Sequence, residues 1–146
     1  AWLELLDHYA RDPMGGGVRL SDFARANLIR ELRHLPTFHG AMAFNDDDAV
    51  GLINCFTGFS TFAARPLLNI HDIVVRSGYR RQGIGQALLD WAERRARELG
   101  CCKLTLEVLA NNAVAMDSYR RAGYASYVLD PTAGDARLMQ KILLEP

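Results

Sequence analysis

The sequence has no excess of either charge, no long apolar run and few cysteines, and each shortage removes a class of protein. Its 17 Lys and Arg balance 17 Asp and Glu among 146 residues, so a basic surface for binding nucleic acid is not expected. No apolar run approaches the roughly 18 residues that a membrane crossing needs, and no secretory signal pattern is present. We therefore expect a cytoplasmic protein with no nucleic-acid partner and no membrane partner.

The three cysteines are too few and too unevenly spaced for a disulfide framework or a zinc site. Cys101 and Cys102 are adjacent and Cys55 stands alone, whereas zinc sites pair cysteines or histidines at short fixed spacings. We therefore expect reduced thiols that pack as small apolar residues, and no bound metal. The aspartate run 46–48 lies between two apolar runs, which predicts the solvated turn of a hairpin rather than a metal site.

Length and periodicity predict one α+β domain over residues 1–146. Apolar residues make up 49% of the chain and charged residues 23%, as in ordinary globular proteins. The apolar spacing predicts helices over 2–10, 22–35, 84–99 and 113–122, strands over 40–44, 49–56, 67–75, 103–108, 124–129 and 136–143, and an aromatic-bearing loop over 57–66. This order favours a mixed, mostly antiparallel central sheet flanked by helices over a doubly wound one.

The segment Asp72–Leu89 leads from a predicted strand through a glycine-bearing turn into a helix. The first backbone N–H groups of a helix have no partner within it, and the helix dipole there favours negative charge. Gly83 and Gly85 let the backbone approach a ligand closely, and Arg80 and Arg81 add cationic donors. These features predict a pyrophosphate site; the alternative is a plain strand-to-helix connection with a tight turn. The glycine spacing fits neither the dinucleotide fingerprint nor the ATP loop.

Two sequence blocks together resemble one enzyme family. The run Arg80-x-x-Gly83-x-Gly85 resembles the acetyl-coenzyme A (acetyl-CoA) signature R/Q-x-x-G-x-G/A of the GNAT N-acetyltransferase superfamily. Many members have a glycine where this chain has Arg81. The block Leu106–Tyr124 is similar to the family segment LEV…N-x-x-A-x-x-x-Y-x-x-x-G-F/Y. The resemblance covers residues 70–144 well and the first half of the chain in outline.

The resemblance implies a GNAT-like acyl-CoA N-acyltransferase fold and an acetyl-CoA-dependent N-acetyltransferase. Its co-substrate is acetyl-CoA, no metal takes part, and the acetyl group passes by direct attack to the primary amine of a small molecule. Homodimers are common in the family and are one expected state here. The first strand of the family fold is expected to lie before residue 1. Two alternatives stay open: acetylation of a protein N-terminus or lysine, and a CoA-binding sensor module without turnover.

The resemblance also assigns the residues that contact the coenzyme. Backbone groups of the central strand are expected to bond the pantetheine arm, and the glycine turn and helix start to hold the pyrophosphate. Two later residues are expected near the coenzyme, although one could be a helix cap only and the other a core aromatic. The expected contacts are Ile73, Val74, Val75, Arg80, Arg81, Gln82, Gly83, Ile84, Gly85, Gln86, Asn112 and Tyr119.

The predicted catalytic residues are His71, Asp72 and Tyr119. Aspartate is rare within strands, and histidine titrates near neutral pH, so either side chain is a candidate for handling the acceptor's proton. Alternation places the first two on opposite faces of a strand, so at most one faces the acceptor unless a bulge intervenes. A structural role for either, or a water molecule as the base, stays open. Tyr119 matches the family tyrosine beside the coenzyme sulfur, and Glu107 is a weaker third candidate for the base.

The acceptor wall is expected to come from residues 1–66, where the resemblance is weakest. Phe59 and Phe62 either line the acceptor pocket or cover the sheet. The glycine-rich segment 14–17 is either a mobile flap or a plain linker.

Overall fold

The computed structural model describes residues 1–144. These residues fall into two units, 1–109 and 110–144. The elements of the first unit are α1 (Trp2–Arg11), α2 (Asp22–Arg33), β1 (Phe38–Asn45), β2 (Asp48–Ser60), β3 (Arg65–Val75), α3 (Ile84–Glu98) and β4 (Leu104–Leu106). Short 3-10 turns occupy Pro13–Gly15 and Ser77–Tyr79. The second unit contains α4 (Ala113–Arg121). The single domain over residues 1–146 stays a prediction.

The four strands form one mixed sheet in the order β1-β2-β3-β4. β1 pairs with β2, and β2 with β3, in the antiparallel direction, whereas β3 and β4 are parallel. Only the last pair needs a crossover, and α3 provides it. The predicted α+β class with a mostly antiparallel sheet is therefore confirmed.

Helices α1 and α3 cover opposite faces of the sheet. Leu5 and Leu6 of α1 belong to a buried cluster with Leu52 of β2. On the other face, an added Cβ at Gly51 would lie 3.1 Å from Ile84 Cγ2 of α3. Because side chains alternate along a strand, neighbouring residues of β2 serve the two helices. Each fully buried leucine in such a layer contributes about 1.5–3 kcal/mol.

The sequence signals for helix ends are confirmed. The Ser21 side-chain oxygen accepts a hydrogen bond from the Ala24 N–H (3.1 Å), which caps the start of α2. Gly100 follows Leu99, the C-cap of α3, and has the positive φ of 73° that favours glycine after a helix. Within residues 1–144, no helix combines the length and the apolar character that a membrane crossing requires.

Three predictions are wrong in part. β2 extends to Ser60 and β3 starts at Arg65, so most of the predicted loop 57–66 is a hairpin. The predicted strands 124–129 and 136–143 are absent, since no strand follows β4 in the described residues. One hydrogen bond, from the Ala136 N–H to the Tyr127 C=O (3.2 Å), joins the two segments, but they form no ladder. An alternating apolar pattern specifies a strand only where a partner supplies hydrogen bonds. The buried position expected for the thiols holds for Cys55, while Cys102 is exposed.

Candidate active site

A β-bulge in the β2–β3 pairing turns two polar side chains toward one cavity. Asn54 lies opposite Asp72, but the next residue of β2, Cys55, lies opposite Ile70. His71 is therefore an extra residue on β3, and the bulge interrupts the alternation that would separate it from Asp72. Both side chains line the same cavity. Strict alternation allows only one of them there, and the bulge is the condition under which both can face it.

The cavity lies within the first unit and has a volume of about 360 Å³, which is in the range of small-molecule sites. Helices α1 and α2 form one wall, and β2 and β3 form the other. The larger apolar and aromatic residues of the lining are Trp2, Leu6, Tyr9, Leu20, Leu28, Leu32 and Phe56. Its polar side consists of Asn54, His71 and Asp72 together with the Tyr9 hydroxyl group.

A hydrogen-bond chain holds the Asp72 carboxylate in position. Asn54 Nδ2 donates to Asp72 Oδ2 (3.0 Å), and Trp2 Nε1 donates to Asn54 Oδ1 (3.2 Å). Asn54 is only 2% exposed, so its amide is held from both sides by partners that water cannot easily replace. The chain connects the first turn of α1 to the bulge and fixes the direction of one carboxylate oxygen.

The charge of Asp72 acts on the interior around the cavity. Burial and then the Asp72 and Asp12 carboxylates raise the pKa of Tyr9. Burial, followed by the charge of Asp72, raises the pKa of Cys55 to about 12, so this thiol stays protonated and is a poor nucleophile. The His71 ring meets the Phe56 ring edge-on at 5.5 Å between centroids. A cation entering the cavity thus meets a carboxylate in a largely apolar setting.

The turn after β3 exposes the start of α3. Gly83 is the N-cap residue with φ of 80°, and no side chain of the described residues caps the helix. Added Cβ atoms would meet nothing within 4 Å at Gly83 and only Val75 Cγ2 at 3.8 Å at Gly85. These gaps leave room for a ligand over the first N–H groups of the helix.

The side chains of this turn have partners of their own. Arg80 Nη2 lies 3.5 Å from Asp12 Oδ2, and Gln86 Nε2 donates to Asp90 Oδ1 (2.9 Å). Arg81 adopts a left-handed backbone conformation with φ of 64°. Many members of the family that the sequence resembles have glycine at this position. Glycine has no Cβ and adopts a positive φ without strain, which is consistent with that preference. Ile84 is the first residue of α3, and Gln82 is exposed.

The end of β3 has a ladder partner on one side only. The parallel pairing with β4 ends at Ile70 and Leu106, while Ile73, Val74 and Val75 continue to pair with β2. In the part of the chain that the structure describes, β4 stops short of them. The backbone N–H and C=O groups of residues 73–75 on the β4 side therefore make no ladder bond to β4. The predicted pantetheine contact requires backbone groups that β4 does not engage.

The two later candidates belong to the second unit. Asn112 Oδ1 accepts from the Ala115 N–H (3.2 Å) and caps α4, so the local role of this residue is confirmed. The Tyr119 ring makes an edge contact with the Tyr124 ring, at 6.1 Å between centroids. Their roles toward a coenzyme stay predictions.

The cavity wall lies largely within residues 1–66, where the sequence predicts the acceptor wall, but the sequence does not single out its residues. The spacing of Trp2 and Tyr9 predicts one face of a helix only, and Phe59 and Phe62 do not belong to the lining. The available signal was Asn54, a polar residue inside the apolar run 49–56. No group of three or more His, Cys, Asp or Glu within residues 1–144 has a metal-binding arrangement.

The chain is similar to known acetyltransferases. The model of the acetyltransferase (GNAT) family matches residues 2–124. Streptothricin acetyltransferase of Streptomyces lavendulae is 42% identical over 85 residues, which are 58% of this chain and 43% of that protein. Aminoalkylphosphonate N-acetyltransferase of Salmonella typhimurium is 34% identical over 92 residues, 61% of this chain and 58% of that protein. The matches thus span less than two thirds of these relatives.

A solved structure agrees in fold. The crystal structure of a Trypanosoma brucei acetyltransferase superposes with a TM-score of 0.69 and 23% sequence identity, covering 97% of this chain and 90% of that one. At this level of identity the likeness concerns the fold alone.

Replacing Asp72 with Asn should lower the pKa of Tyr9, because it removes a negative charge that opposes formation of the phenolate. The decrease is partial, since burial is the larger cause and persists. Absorbance titration of tyrosinate measures the pKa, and Tyr9→Phe identifies the Tyr9 component. Because the pKa of Tyr9 lies above its ordinary value of 10.0, the folded chain binds the phenolic proton more tightly than the unfolded chain does. The contribution of Tyr9 to stability is therefore fully present below pH 10.0 and declines as the pH rises through the raised pKa.

Asp47→Asn, in the exposed turn between β1 and β2, is the matched control and should leave the Tyr9 titration unchanged. An unchanged titration in Asp72→Asn as well would show that the charge of Asp72 does not reach the cavity.

Proposed function

The chain belongs to the GNAT acetyltransferase family, and we propose that it transfers the acetyl group of acetyl-CoA directly to the primary amine of a small molecule. The observation that carries this proposal is the bulge at His71, which turns His71 and Asp72 into one cavity of small-molecule size. The relatives named for streptothricin and aminoalkylphosphonate support a small amine as the acceptor class. Cytoplasmic location and a homodimer stay predictions.

The donor side of the proposed site is the end of β3 and the turn that follows it. The first N–H groups of α3, with Arg80 and Arg81, suit the two negative charges of a pyrophosphate. The room over Gly83 and Gly85 supports a close approach of that group to the backbone. Gln82, Ile84 and Gln86 complete the proposed binding segment.

The proposed reaction is a single displacement. The neutral amine nitrogen attacks the thioester carbonyl carbon, a C–N bond forms, the C–S bond breaks, and the coenzyme leaves as a thiolate. The nitrogen loses its surplus proton as the amide forms, and one proton, directly or through solvent, converts the thiolate to the coenzyme thiol. His71 or Asp72, directly or through water, takes the proton that the ammonium must lose before it can attack. Asn54 acts as a positioning residue, since its amide directs the Asp72 carboxylate.

Tyr119 is proposed to donate a hydrogen bond to the departing sulfur. An ordinary phenol is a weaker acid than an ordinary thiol by about 1.5 pKa units, so complete proton transfer to a free thiolate would cost roughly 2 kcal/mol. Stabilising the developing charge by a hydrogen bond is the less costly role. Asn112 is proposed as a further coenzyme contact.

Release of free coenzyme thiol tests the function and separates it from its rivals. Acetyl-CoA with a panel of small amines should yield thiol in proportion to acetylated amine. Turnover only with peptides would favour a protein acetyltransferase. Tight coenzyme binding without turnover on any acceptor would favour a sensor module.

Gly83→Asp should weaken acetyl-CoA binding by about 10-fold or more, because it places a carboxylate where the pyrophosphate is proposed to lie. Gly83→Ala is the matched control, since both variants force a side chain into the same left-handed backbone conformation. Calorimetry measures the affinity, and denaturant unfolding verifies that both variants fold. Equal affinity of the two folded variants would contradict the phosphate assignment.

If His71 takes the proton, the rate should rise with pH, and His71→Ala should abolish that rise. A positioned general base contributes typically 10²–10⁴-fold to the rate. Removing it in His71→Ala should therefore decrease kcat by a factor of about 10²–10⁴. Kinetics of His71→Ala and Asp72→Asn over pH decide between them. Loss of activity only in Asp72→Asn moves the role to Asp72, and full activity in both leaves the proton to water.

Tyr119→Phe should lower kcat by about 10²-fold, the low end for a proton donor, because a thiolate already leaves readily. The KM for acetyl-CoA should hardly change, since the hydrogen bond strengthens only as charge develops on sulfur. Tyr124→Phe removes a hydroxyl from the neighbouring ring and should keep kcat. A normal kcat in Tyr119→Phe would leave this residue a packing role only.

A further inference from the structure

We propose that the acceptor of this site is an apolar primary amine with one positive charge, such as a phenylalkylamine. The inference rests on the proposed acetyl transfer and specifies the molecule that receives the group. It follows from the side chains that face the cavity and from the charges that surround it.

The described cavity lining holds one carboxylate, that of Asp72, and neither lysine nor arginine beside the imidazole of His71. The Asn54 amide directs Asp72 by a 3.0 Å hydrogen bond, so the carboxylate is set to pair with one ammonium group. A substrate carboxylate or phosphonate would find neither a lysine nor an arginine in this lining and would lie close to the like charge of Asp72.

The nearby arginines are already engaged. Arg11 Nη2 and Arg25 Nη1 lie 2.8 and 3.1 Å from Asp7 Oδ2, and Arg80 faces Asp12. Asp7 also accepts from the Leu20 N–H (2.9 Å), and this bond and the arginines lower its pKa. Each of these arginines thus faces a carboxylate, and none of them belongs to the described cavity lining. An acidic group on the substrate therefore finds neither a lysine nor an arginine in the lining, and a second ammonium finds no second carboxylate there.

The remaining wall suits a ring or a branched alkyl group. Trp2, Tyr9 and Phe56 present aromatic surface, and Leu28 and Leu32 present aliphatic surface. Burial of an apolar body against such a wall is favourable, and aromatic faces also attract an ammonium group. A polyhydroxylated or polycationic acceptor would lose water without replacing its hydrogen bonds.

A matched panel tests the inference: 2-phenylethylamine, phenylalanine, 1,5-diaminopentane and 2-aminoethylphosphonate, each with acetyl-CoA and the wild-type chain. Phenylalanine adds only a carboxylate to the first compound, so their ratio isolates the missing cation. We expect kcat/KM for 2-phenylethylamine to exceed each of the others by about 10-fold or more. An equal or higher value for any of the other three compounds would overturn the inference.

A pair of lysine variants tests whether a cation in the wall changes the preference between phenylalanine and 2-phenylethylamine. Leu32→Lys adds a cation to the wall and should raise phenylalanine relative to 2-phenylethylamine by about 10-fold. Ile29→Lys adds the same charge to α2 outside the lining and should leave the ratio unchanged. A shift in both variants, or in neither, contradicts the assigned wall; denaturant unfolding confirms that each variant is folded.

Calorimetry with 2-phenylethylamine alone separates this inference from the proposed acetyl transfer. Binding that is lost in Asp72→Asn, with no thiol released by any amine, refutes the transfer and supports the cavity assignment. Turnover of other amines without binding or turnover of 2-phenylethylamine refutes the cavity assignment and supports the transfer. Neither binding nor turnover of any compound overturns both.

Discussion

The antiparallel pairing of β2 with β3 is the constraint on which the first unit depends. β2 is buried from Ala49 to Cys55, and its two faces receive α1 and α3. β3 also carries the parallel strand β4 on its other edge. A disturbance of this pairing therefore changes the surroundings of both helices at once. The bulge at His71 is such a disturbance, and His71 and the following Asp72 line the cavity.

One strand serves both halves of the proposed reaction. Asp72 faces the cavity, and Val75 at the end of the strand has no described partner on the β4 side. Val75 lies three positions after Asp72 on the strand, a distance of roughly 10 Å. The turn that follows leads into the exposed start of α3. The rigid spacing of a strand thus links a site for an amine to a site for a thioester and its phosphates, so β3 sets their separation.

What the sequence could predict depends on how local the signal is. The caps at Ser21 and Gly100 follow from nearest neighbours and were predicted correctly. The bulge could only be named as an alternative, because it depends on Asn54, which lies 18 residues away in the chain. The cavity wall needed the docking of α1 on β2, which periodicity does not specify. The alternation in 124–143 predicted strands that the structure lacks, because no partner in the described residues pairs with them.

Arg81 occupies a backbone conformation that favours glycine, so a reason other than backbone preference is needed for an arginine at this position. A non-glycine residue in the left-handed conformation costs about 1–2 kcal/mol, and the family pattern relieves that cost with glycine. This chain keeps a guanidinium group there, beside Arg80, whose own charge is partly engaged by Asp12 across 3.5 Å. An exposed ion pair of that length contributes little, so a pyrophosphate with two negative charges can compete for Arg80. Arg81 adds a second cation at the same turn, and the proposed anion site offers a physical reason to retain it despite the strain.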